Sequence, residues 1–210
     1  QMCIRDSPYR DYDVLLHMFT DGFYGPAGAH IRRYLAQLEA AAEAKPAYMS
    51  MSASPSTCKF LDLSFVREAM ATFDEAEQAI GDDPLLLRRV RHARLPLDRA
   101  AVVVYRKLMD DWMEAGNAPE TMPLDRAAIA ARYKDTWYAQ VDFRIPEGQR
   151  AAQRAEADQE VRFLLNLPSA VPLPERFRDL PRDSVHQYTA SDSRNWQDIV
   201  QRVPDPEAPS

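Results

Sequence analysis

The chain has 210 residues, 46% hydrophobic and 28% charged, enough to bury a core in one domain of ordinary size with a short second segment. Its 26 basic and 32 acidic residues leave a formal charge of -6. That balance argues against a general nucleic-acid binder, which needs a basic surface to displace counterions from phosphates, and no apolar run approaches the roughly 20 residues of a bilayer-spanning helix.

Six glycines are few and sixteen prolines are many. Scarce glycine disfavours a sheet-rich fold with tight turns. The periodicity described below predicts an all-α fold, a bundle of antiparallel hairpins with about five to six helices. Cys3 and Cys58 make no disulfide framework and have no metal-ligand spacing around them. Cys58 reads as a partly buried small apolar residue. Residues 1–7, with Met2-Cys3-Ile4-Arg5-Asp6-Ser7, read like a translated transposase adapter and are set aside from fold reasoning. On this reading Cys3 is not biological and the true chain begins further upstream. Residues 8–167 are expected to form the helical domain. Residues 168–210 are expected to be a Pro-rich linker and the truncated opening of a β-rich module.

In chain order, Tyr12, Leu15, Leu16 and Phe19 repeat at helical spacing, with a break expected at Asp21-Gly22. Pro26 suits the first turn of a second helix, whose stripe is Ile31, Tyr34, Leu35, Leu38 and Ala42. That helix should stop near Lys45-Pro46. Residues 46–61 form a connector in which Tyr48-Met49-Ser50-Met51 could be extended. Asp62 or Ser64 can cap a third helix with Val66, Ala69, Met70, Phe73, Ala76 and Ile80 inward and Gly81 as its C-terminal cap. Asp83-Pro84 then opens a long second arm. Its stripe of Leu86, Val90, Ala93 and Leu97 continues as Ala101, Val104, Leu108 and Trp112. A kink or break is expected near Arg94–Pro96, and an end at Gly116-Asn117. After a loop at 118–123, residues 125–141 form a helix with Ile129, Tyr133, Trp137 (or Thr136) and Val141 inward. A last helix spans about 147–165, polar early and apolar late. Helical periodicity stops at Pro168, and Ser184–Ala190 could be a first strand.

Four histidines, His17, His30, His92 and His186, lack zinc-binding spacing and read as surface or structural. Arg88, Arg89, Arg91, Arg94 and Arg99 form the densest basic cluster. Guanidinium forks grip carboxylate or phosphate in two-pronged fashion, so Arg88, Arg91 and Arg94 are candidate binding residues. The plainer reading is a solvated helix side paired with Asp82, Asp83 and Asp98. Aromatics such as Tyr138 or Trp112 could stack on sugar rings, although at helical spacing most aromatics are core. Glycoside hydrolysis needs two opposed carboxylates, and no local signature chooses a pair. There is no Gly-rich phosphate loop, no Gly-x-Ser-x-Gly elbow and no Cys–His nucleophile pair. No catalytic residue, metal site or cofactor is therefore assigned.

Several segments resemble a known family. Phe19-Thr20-Asp21-Gly22-Phe23-Tyr24-Gly25-Pro26-Ala27-Gly28, followed by His30-Ile31-Arg32-Arg33-Tyr34-Leu35, is similar to a stretch of the domain of unknown function 4838 family, large bacterial proteins similar to α-glucuronidases and related glycoside hydrolases. Tyr48–Met51, Phe73–Glu77, Val90–Asp98 and Leu173–Pro181 resemble that family in the same order. The resemblance covers most of residues 12–207. It implies a (β/α)-barrel catalytic domain upstream, then this helical region, then a galactose-binding-like β module. It also implies a secreted or periplasmic parent, with the upstream catalytic domain of the same chain and carbohydrate as expected partners. The family's catalytic acids have no matching motif here. Under this resemblance Tyr24 and the Arg88–Arg94 face are expected near the barrel mouth. The alternative is a non-catalytic helical scaffold or a glycan- or protein-binding module.

Overall fold

The computed structural model describes residues 11–46 and 54–166. They form six α-helices: α1 (Tyr12–Tyr24), α2 (Gly28–Ala44), α3 (Leu63–Ile80), α4 (Pro84–Glu114), α5 (Arg126–Arg144) and α6 (Glu147–Asn166). Short 3-10 turns occupy Gly25–Ala27, Pro55–Thr57 and Pro119–Thr121. The described residues contain no strand. Tyr48–Met51, Ser184–Ala190 and the whole of 168–210 lie outside them.

Local chemistry sets most boundaries. Asp11, Asp62, Asp83 and Asp125 each accept a backbone N–H of the following helix through the side chain, the N-cap role that short acidic side chains fill. Pro84 stands in the first turn of α4, where its missing N–H is harmless. Gly81 closes α3 at φ +63° and ψ -130°, a backbone conformation that side chains with a Cβ rarely adopt.

Successive helices run antiparallel, as the cross-helix pairs show. Between α2 and α3, Arg33 meets Glu75, Gln37 meets Thr72 and Lys45 meets Asp62. Between α3 and α4, Glu77 meets Arg91 and Asp74 meets Arg94. In each case one number rises as the other falls. The same holds for α4 with α5 (Asp98–Arg132, Tyr105–Leu124) and for α5 with α6 (Asp142–Arg154, Arg126–Leu164). The spine is α4, 31 residues or about 46 Å long at 1.5 Å per residue. It touches α1, α3, α5 and α6. Phe73, Val66, Val90, Val102, Leu108 and Leu164 are fully buried around it. Burying side chains of this size stabilises by about 1.5–3 kcal/mol each before entropy is counted.

Three points correct or refine the expectations. First, α1 does not break at Asp21-Gly22 but continues to Tyr24 and ends at Gly25, with φ +56° and ψ -129°. The corner is set by close packing as well. A Cβ on Gly28 would lie 2.9 Å from the Thr20 carbonyl oxygen, so α2 crosses α1 where only glycine fits. Second, the apolar stripe of α1 is only partly covered: Leu15 and Leu16 are half-buried, whereas Tyr12 is 72% exposed and Phe19 57%. The buried residue is Thr20, whose hydroxyl donates to the Leu16 carbonyl at 2.7 Å. Third, helix α4 runs unbroken through Pro96. Proline leaves the His92 carbonyl without its usual partner, but Val90, Leu97 and Ala101 pack in the core on either side. Arg94 and Asp98 add buried ion pairs across the same turn. In α6 the late apolar residues divide, with Val161 and Leu164 inward and Phe163 and Leu165 exposed.

Candidate functional site

The arginines of α4 do not share one face. Successive residues on a helix turn by about 100°, and each guanidinium finds a different neighbour. Arg89 bonds the Phe23 carbonyl at 2.7 Å and lies over the Phe23 ring. Arg88 lies over the Phe143 ring of α5, 3.4 Å from its centroid. Arg91 reaches Glu77 of α3 at 2.9 Å. Arg99 reaches Glu160 of α6. Arg94 points inward and is 2% exposed.

Around Arg94 a chain of charges crosses three helices. Its Nη1 donates to Asp74 at 2.6 Å and to Glu77 at 3.1 Å. Its Nε sits 3.5 Å from Asp98 Oδ1. Asp98, 1% exposed, accepts a two-pronged bond from Arg132 of α5, at 2.9 and 2.7 Å. Burial alone lowers the pKa of the Arg132 guanidinium. The hydrogen bond to Asp98 and the fields of Asp98, Asp74 and Glu77 outweigh it and raise the pKa. A buried charge is tolerated only when paired and hydrogen-bonded in this manner.

Two open hollows flank this cluster and share Arg132. One, of about 620 Å³, lies between α3 and the start of α5, bordered by Arg67, Glu68, Asp74, Arg94, Leu124 and Arg132. The other, of about 750 Å³, lies between α4 and α5. Its border includes Arg88 and Arg91 together with Arg132, Thr136 and Gln140. The structure thus brings Arg88 and Arg91 to one hollow and places Arg94 in the other. Tyr24 borders neither. It belongs to an aromatic corner with Phe19 and Phe23, ring centroids 6.3 and 4.9 Å away. Burial raises its hydroxyl pKa against the opposing field of Arg89.

Sequence reasoning missed Arg132, Thr136 and Gln140 as a set. Their signal is a polar stripe at i, i+4 and i+8 on α5, beside the core positions Ile129, Tyr133 and Val141. The Asp98 pairing was visible as a candidate, but its second partner, Arg132, lies 34 residues away. Among the acids of the cluster, Asp74 and Glu77 share Arg94, and Asp98 is held by Arg132. The described residues hold no cluster of three or more histidine, cysteine or acidic side chains placed for a metal ion, and no described helix is long and apolar enough to cross a membrane. No family model, curated protein or solved structure matches the chain.

Proposed function

We propose that this chain is the accessory helical domain of a glycoside hydrolase-like protein of the domain of unknown function 4838 family, and that it supports a neighbouring catalytic domain instead of breaking bonds itself. The observation that carries the reading is the outward apolar face of α1. Tyr12 and Phe19 are more than half exposed and share one side of α1 with Phe23, at i, i+7 and i+11. Exposed apolar surface of this kind supports a contact with something else. The ordered sequence blocks name that something as an upstream barrel, with residues 168–210 leading to a β-rich module in a secreted or periplasmic parent. The commitment of Asp74, Glu77 and Asp98 to guanidinium partners supports a structural role for these acids, since hydrolysis needs two carboxylates facing a scissile bond.

The test is an assay of this chain on aryl glycosides and glucuronoxylan, beside the same chain extended upstream to include the preceding gene segment. The chain alone is expected to give no turnover and the extended protein to give it. Turnover by the chain alone contradicts the reading.

A further inference from the structure

No further inference is drawn: the strongest candidate, the surface patch of Phe23, Leu85, Arg88, Arg89 and Phe143 across the start of α4, is an aromatic and basic face whose two arginines already lie over the two rings, and nothing in the structure shows what covers it.

Discussion

At the scale of single residues, Asp98 is the point on which the middle of the molecule turns. It is 1% exposed and holds guanidinium groups from its own helix and from α5. Replacing the whole cluster by apolar groups of similar shape would change stability little, but removing one member strands the rest. Asp98→Ala leaves Arg132 without its two-pronged partner and Arg94 buried beside a void. The expected loss is about 3–5 kcal/mol, read as a lower urea midpoint. A loss below about 1 kcal/mol, the size of a surface pair, would mean the cluster is screened by water. Asp98 was legible as an acid near arginines. Its importance was not, because burial of a charge depends on which helices converge on it, and Arg132 comes from a different one.

At the scale of elements, boundaries were legible wherever one side chain acts on the backbone next to it. Asp62 before α3, Gly81 after it, Asp83-Pro84 before α4 and Asp125 before α5 are all local devices. The continuity of α4 through Pro96 was not legible for the opposite reason: the packing that carries the helix past it lies on other helices. The helical period of the α1 stripe was legible but its exposure was not, because periodicity identifies an apolar face without saying what covers it. Asp62 gives a quantitative check on a local device. Its side chain accepts the Phe65 N–H at 2.9 Å and pairs with Lys45 across from α2. Burial alone raises its pKa, but the Lys45 hydrogen bond, the Phe65 N–H and the fields of Lys45 and Lys107 together lower it. A carboxyl held below its unfolded value of about 3.9 contributes fully above that pH and loses its contribution as pH falls through the folded value. Asp62→Ala is expected to cost about 1 kcal/mol at neutral pH. The gap from wild type should narrow as pH falls below about 4 in denaturant titrations. A gap that is constant with pH would show that the charge of Asp62 plays no part.

At the scale of the whole molecule, six helices follow one another, and α1, α3, α5 and α6 share α4 as a common wall. The interior is closed by Phe73, Val90, Leu108 and Leu164, and the charged cluster fixes α3, α4 and α5 in register. The all-α class was legible because helical periodicity and punctuation by proline and glycine agree along most of the chain. The hollows were not, since they arise where α3, α4 and α5 diverge, a property of packing. Among the described residues α1 leaves an apolar face of Tyr12, Phe19 and Phe23 exposed, with Val14 and Met18 exposed on another side. On the proposed reading that face meets the domain preceding it in the parent protein. Hydrogen exchange followed by mass spectrometry, on this chain and on the chain extended upstream, measures that contact directly. The account predicts that amides of α1 exchange at least about tenfold more slowly in the extended protein, while those of α4 are unchanged. Equal exchange of α1 in the two proteins, with the upstream domain folded, would contradict it.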